Sequence, residues 1–234
     1  MKNIAIILAS GSGSRFLSNT PKQFCKVNNK TLIEYSIEAF ENNKQISKII
    51  IVTNPNYINE TKNIISNNKY KKISKVVAGG ATRQKSSYNG VFSVNEDSCN
   101  VLIHDAARPF VTQEIINNCI NALKDYNAIN VAIKATDTII EINDNNIIKK
   151  TLNRDNLMCC QTPQCFNIDI IKEAHTLALK DKYSTATDDC SLVLKYELAD
   201  IYVVQGSNIN IKITYPEDIN KAITIVNSKS VSDT

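Results

Sequence analysis

From residue 3 to residue 134 the chain repeats one pattern: a short, unbroken apolar run, then a stretch of helix length with helical periodicity, then another run. "NIAIIL" at 3–8 is followed by "TLIEYSIEAFENN", "KIIIVT" at 48–53 by "YINETKNIISNN", "ISKVVAGG" by "RQKSSYNGVFSV", and "NVLIHD" by "TQEIINNCINALKDY" and "NVAIK". A strand that faces water on one side alternates apolar with polar residues, whereas a strand covered on both sides reads as a continuous apolar run. Runs of the second kind, separated by helices, predict an α/β fold with a doubly wound, mostly parallel sheet.

After Lys134 the rhythm changes. "DTIIEINDNNIIKKTL" holds two short runs around the turn-forming "NDNN", which predicts a β-hairpin arm at about 136–154. An isolated two-stranded hairpin is marginal in water, so another surface should cover it. The chain then returns to helix ("NIDIIKEAHTLALK", "DDCSLVLKYE"), strand ("DIYVVQ", "NIKIT") and a last helix opened by "YPEDI", with Pro216 suited to a first turn. Residues 1–227 are expected to form a single domain, and "SKSVSDT" at 228–234 a flexible tail.

Composition removes several classes of function. With 43% hydrophobic and 21% charged residues in 234, the chain is neither disordered nor a coiled coil. A net charge of +4, with Lys and Arg dispersed, argues against nucleic acid while leaving room for a small anion. The longest apolar runs are too short to span a bilayer and no leader pattern opens the sequence, so no membrane association and a cytoplasmic location are expected. Seven cysteines without a C-x-x-C pair, beside two histidines, fit small buried hydrophobes in a reducing compartment better than a zinc site or disulfides.

Ligands of open α/β sheets collect beyond the carboxyl ends of the strands, where "ASGSGSRFLSNTPKQF" (9–24) leaves the first one. Backbone amides in a glycine turn can point at an anion. The stretch is not a Walker loop, since G-x-x-x-x-G-K-[ST] is absent, and Phe16 stands where a dinucleotide fingerprint needs its third glycine. Without a Y-x-x-x-K pair as well, a nicotinamide oxidoreductase, the rival reading from another class, has little to rest on. "GSGSR" alone reads equally well as a tight turn, but "PKQF" adds a second cation. A second glycine pair, Gly79 and Gly80, precedes Arg83, Gln84 and Ser86; "VLIHDAARPF" then brings Asp105 to a strand end with Arg108 just beyond. Such an aspartate needs a partner or a metal, whereas His104 reads as a packed structural residue. "CQTPQCF" and "TDDCS" are polar insertions that packing does not explain.

Taken in order, "LASGSGSRF", "PKQF", "GGATRQKSSYNGV", "HDAARPF", "DT", "QTPQ", "TDD" and "NIKIT" resemble the 2-C-methyl-D-erythritol 4-phosphate cytidylyltransferases, over about residues 4–225. The resemblance implies a nucleotide-diphospho-sugar-transferase-like fold, CTP as substrate, Mg²⁺ as cofactor, and a homodimer in which the arm of one subunit reaches the other's site. It assigns Leu8, Ala9, Ser10, Gly11, Gly13, Gly80 and Ser86 to CTP, and Arg15, Lys22 and Lys212 to the reacting phosphates. It further assigns Asp105 to the metal, and Arg108, Thr138 and Arg154 to the sugar phosphate. The chain departs from the family pattern with "AS" at the loop start, with Ala81 and with Asn208, positions that bear on cytosine reading and metal coordination. Ribitol 5-phosphate cytidylyltransferases share the loop and "QTPQ"; "HDAARP" favours the erythritol branch.

Overall fold

The computed structural model describes residues 1–11, 13, 16 and 20–232, without the side chains of 229–232. In chain order the elements are β1 (Lys2–Ala9), β2 (Lys26–Val27), β3 (Lys30–Thr31), α1 (Leu32–Glu41), β4 (Ile46–Thr53), α2 (Ile58–Asn68), β5 (Ile73–Ala78), α3 (Arg83–Phe92) and β6 (Cys99–Asp105). They continue with α4 (Gln113–Ala122), β7 (Ala128–Lys134), β8 (Ile140–Ile142), β9 (Ile148–Thr151), β10 (Met158–Asn167), α5 (Ile168–Lys180), α6 (Cys190–Lys195), β11 (Ile201–Gln205) and α7 (Asp218–Ser232).

Seven strands form one sheet in the order β11-β7-β10-β6-β1-β4-β5. The pairs β1/β4, β1/β6, β4/β5 and β7/β11 are parallel, as the continuous apolar runs predict. Every residue of β6 and all but the first of β1 are buried. Because strand side chains alternate, these strands need cover on both faces. On one side Ile33, Ile37, Phe40, Ile115, Ile116 and Cys119 of α1 and α4 pack on Ala5, Ile7, Ile49 and Ile51. On the other, Val91, Ile171, Ala174 and Val193 of α3, α5 and α6 pack on Ile4, Ile6, Val52 and Ile103. Helix starts follow capping chemistry: Thr31 and Glu34 form a capping box on α1, and the Thr82 side chain accepts the Lys85 amide on α3.

Three segments differ from the sequence expectation. "CQTPQCF" lies within β10, antiparallel to both β6 and β7 in the middle of the sheet. Its register breaks between Cys160 and Gln164, around a cis Thr162–Pro163 bond, and the buried polar side chains of Gln161, Thr162 and Gln164 hydrogen-bond to Asn210, His104 and Asp188. "NIKIT", expected as a strand, is irregular; its Ile213 amide donates to Ala107 O at 2.8 Å. Helix α7 continues through Ser232, into the segment that reads as a tail. The hairpin forms as expected: β8 and β9 pair antiparallel, with Ile142 opposite Ile148.

Candidate active site

A cleft of about 570 Å³ opens at the carboxyl ends of β1 and β6. Leu8, Ala9, Ser10, Gly11, Gly13, Lys22, Gly80, Asp105 and Lys212 all line it, so most of the positions assigned to nucleotide and catalysis converge. Arg15 lies outside the described residues.

Close approach of two loops builds one wall. The Ser10 hydroxyl donates to Ser86 Oγ at 2.7 Å, the Gly80 amide donates to the same oxygen at 3.1 Å, and the Ser86 hydroxyl donates to Thr82 O at 2.9 Å. A Cβ on Gly79 would sit 2.3 Å from Ser10 Cβ, so only glycine allows this contact. Beneath the first loop, Gln23 Nε2 donates to Ala9 O (2.7 Å) and Gly11 O (3.2 Å). Gly13 holds a left-handed φ of +72°, beyond the reach of most side chains at low cost. Gly11 and Gly13, the described glycines of the turn, both border the cleft.

The charged side chains meet at Asp105, the last residue of β6. Lys212 Nζ donates to Asp105 Oδ2 at 2.7 Å, and Arg83 Nε donates to Asp105 Oδ1 at 3.2 Å. Burial works against ionisation of Asp105, but Arg83 and Lys212 outweigh it and hold the carboxyl far below its usual range. Lys22 Nζ donates to Ile213 O at 2.9 Å, next to Lys212 in the chain. Arg83 Nη1 reaches a second buried carboxylate, Asp189 Oδ2, at 2.9 Å. Burial disfavours the Arg83 charge, yet the two aspartates more than offset it and keep the guanidinium ionised.

β10 positions the end of β6. The Asp105 amide donates to Thr162 Oγ1 (3.1 Å), which also meets His104 Nδ1 (3.0 Å), while His104 Nε2 lies 2.9 Å from Arg108 O. A carbonyl can only accept, so Nε2 carries the proton and Nδ1 accepts from the Thr162 hydroxyl. Burial holds this imidazole neutral, its pKa lowered to about 4, in the structural role expected of it. Gln161 and Thr162 also bind Asn210: its Nδ2 donates to Gln161 Oε1 (3.1 Å) and Thr162 O (2.9 Å), which fixes the segment carrying Lys212.

The three acceptor positions lie apart from the cleft wall. Arg108 spends two nitrogens on backbone carbonyls, Nη1 on Asn210 (2.9 Å) and Nη2 on Cys160 (3.1 Å), and its buried Nε has no hydrogen-bond partner among the described residues. Thr138 and Arg154 flank the hairpin, where Arg154 Nη1 donates to Thr136 O at 2.9 Å. Neither belongs to the cleft of its own chain.

Sequence reasoning missed Arg83 and Asp189 as site residues, together with the organising roles of Gln161, Thr162 and Asn210. The signals were present as an arginine after the second glycine pair and as polar residues without an account in "QTPQ" and "TDD". Among the described residues no cluster of three or more His, Cys, Asp or Glu is arranged for a metal ion. Asp105 is the carboxylate that lines the cleft, and a divalent ion there would be held by it together with phosphate oxygens of a ligand, as Mg²⁺ commonly is. No helix among the described residues is long and apolar enough to cross a membrane.

Comparison with known proteins agrees with this geometry. The family model described as 2-C-methyl-D-erythritol 4-phosphate cytidylyltransferase matches residues 3–228. A relative of that name from Clostridium botulinum (strain Langeland) is 42% identical over 218 residues, covering 93% of this chain and 94% of its own. Another from Clostridium acetobutylicum is 38% identical over 230 residues, covering 98% and 99%. The crystal structure of the 4-diphosphocytidyl-2C-methyl-D-erythritol synthase from Anaerococcus prevotii superposes with a TM-score of 0.85 at 32% identity, covering 97% of this chain and 98% of that one. With the family model matching residues 3–228 and nearly the full length of both chains in common with relatives of that name, the chain belongs to the 2-C-methyl-D-erythritol 4-phosphate cytidylyltransferase family.

Proposed function

We infer that the chain transfers the cytidylyl group of CTP to 2-C-methyl-D-erythritol 4-phosphate, with residues 1–227 acting as one catalytic domain. A phosphate oxygen of the acceptor attacks the α-phosphorus, the bond from that phosphorus to the β-phosphate bridge oxygen breaks, and pyrophosphate leaves. The product is 4-diphosphocytidyl-2-C-methyl-D-erythritol. A phosphate monoester is nucleophilic near neutral pH, so the reaction needs no strong general base. The obstacle is repulsion between anions. At an effective dielectric of 20, two unit charges 4 Å apart repel by about 4 kcal/mol, so a dianion approaching a monoanionic α-phosphate meets roughly 8 kcal/mol. Left uncompensated, that is about six powers of ten in rate.

The observation that carries the reading is the convergence of Lys22, Lys212 and Asp105 on the glycine loop, from segments as distant in the chain as residues 22 and 212. In this scheme Ala9, Ser10, Gly11 and Gly13 cradle the nucleotide, with Leu8, Gly80 and Ser86 at the base and ribose. Lys22 and Lys212, with Arg15 of the same loop, bind the phosphates and stabilise the charge of the transition state. Asp105 would hold Mg²⁺, which supplies further charge neutralisation at the phosphates when bound. Arg108, with Thr138 and Arg154 from the arm of a second copy, takes the acceptor phosphate in a homodimer. Two water-soluble phosphate esters as substrates make the cytoplasm the proposed compartment.

Pyrophosphate release with CTP tests this on a panel of 2-C-methyl-D-erythritol 4-phosphate, ribitol 5-phosphate and glycerol 3-phosphate. Turnover with the first alone is expected. Faster turnover with either of the others would reassign the acceptor.

A further inference from the structure

Arg83 has no task in the scheme above, yet it occupies the centre of the charge cluster with only 23% of its side chain exposed. One edge meets Asp105 through a single Nε contact of 3.2 Å, and Nη1 meets Asp189 at 2.9 Å. Asp189 is the anchored end of this bridge. Its side chain is 1% exposed, Oδ1 accepts the Ser87 hydroxyl and lies 3.5 Å from His175 Nε2, and its amide donates to Gln164 Oε1 at 2.9 Å. Four elements, α3, α5, β10 and the start of α6, therefore agree on where this one carboxylate stands.

We propose that Asp189 is a positioning residue for cytidylyl transfer, acting through Arg83: by holding Nη1 it limits Arg83 to one contact with Asp105 and leaves Asp105 Oδ2 to Lys212 and the cleft. The inference rests on the reading that Asp105 serves the reaction. Its physical basis is the geometry of the guanidinium, whose donors form a rigid fork matched to both oxygens of one carboxylate. Here Nε meets one carboxylate and Nη1 the other, while Nη2, the donor that would complete a side-on pair with Nε, is buried with no hydrogen-bond partner among the described residues, so the hold on Nη1 keeps the guanidinium from turning Nη2 onto Asp105 Oδ2. Neutralise Asp189 and the fork is free to close on both oxygens of Asp105, displacing Lys212 from the 2.7 Å contact it now makes. Remove Arg83 instead and Asp189 keeps a buried charge that has lost its main counter-ion. The two changes damage the site in opposite ways, so the double change should relieve part of each.

The test is steady-state pyrophosphate release by Asp189→Asn, Arg83→Met and the double variant. With kcat normalised to the folded fraction measured by circular dichroism, so that loss of folded protein does not count, Asp189→Asn should lower it by about 10- to 100-fold with the KM for CTP within about threefold. The double variant should be at least about tenfold more active than the product of the single losses implies. Wild-type kcat in Asp189→Asn, or losses that simply multiply, would overturn the proposal. Should Asp189→Asn fail to fold, Ser87→Ala is read in its place, because it loosens Asp189 while leaving every charge intact. It is expected to lose about three- to tenfold in kcat at unchanged KM, and a wild-type kcat there is equally fatal. Asp105→Asn separates the two levels of the argument: wild-type turnover would refute the role of Asp105 itself, whereas a dead Asp105→Asn beside an unimpaired Asp189→Asn would refute only the positioning role.

Discussion

Lys22 and Lys212 come from opposite ends of the chain, and what they share is the segment around Ile213. Lys22 Nζ rests on Ile213 O at 2.9 Å while Lys212 pairs with Asp105, so both ammonium groups border the cleft in positions from which incoming phosphates can recruit them. Removing a preorganised donor to developing charge typically costs about 3 kcal/mol of transition-state stabilisation. Lys22→Ala should accordingly lower kcat by about 100-fold or more, while the KM for CTP changes by less than about tenfold. Steady-state pyrophosphate release measures both, and turnover near wild type would remove Lys22 from the reacting phosphates. Both lysines were legible from "PKQF" and "NIKIT" through the family resemblance. Arg83 was not, because nothing in "GGATRQ" reveals that its guanidinium will be shared between carboxylates 22 and 106 residues further along the chain.

At the scale of elements, β10 and α7 do the positioning that β1 and β6 begin. β10 was hidden because its central residues are polar: a strand read by apolar continuity is invisible where Gln161, Thr162 and Gln164 spend their side chains on Asn210, His104 and Asp188. α7 fixes the far end of the Lys212 segment through Asp218, whose Oδ2 accepts the amides of Thr214 (2.9 Å) and Tyr215 (3.0 Å). Partial burial opposes ionisation of Asp218, but those two amides and Lys221 outweigh it and lower its pKa. A carboxyl with a lowered folded-state pKa stabilises fully above its unfolded value, about 3.9, and loses that contribution as pH falls towards the folded value. Asp218→Asn should therefore cost about 1 kcal/mol at pH 7, with the gap to wild type narrowing below about pH 4. Urea unfolding midpoints of the two proteins across that range check it. A gap that stays constant down to pH 3 would contradict the assignment.

For the whole molecule, the hairpin poses the remaining question of assembly. Ile140, Ile142, Ile147 and Ile148 are 44–61% exposed on a two-stranded ribbon that is tied by ion pairs of Glu141 with Lys149 and Lys150. Apolar surface gathered on so marginal an element calls for cover, and the proposed dimer supplies it. Replacing Ile142 and Ile148 with lysine should shift the protein from dimer to monomer in light scattering and raise the KM for the acceptor phosphate more than that for CTP. A variant that remains dimeric, or a wild type that is monomeric, would exclude the arm as the interface. The sequence by itself determined the layered sheet and the end of it that carries the ligand, because a strand covered on both faces must be apolar throughout and its polar residues can gather only where it stops. Which polar groups then meet was decided by the tertiary structure alone. The insertion of β10 between β6 and β7, the irregular path of "NIKIT" beside Ala107 and the bridge from Asp105 through Arg83 to Asp189 all join distant segments. Their geometry follows from how the covered layers pack, and local sequence pattern holds no record of it.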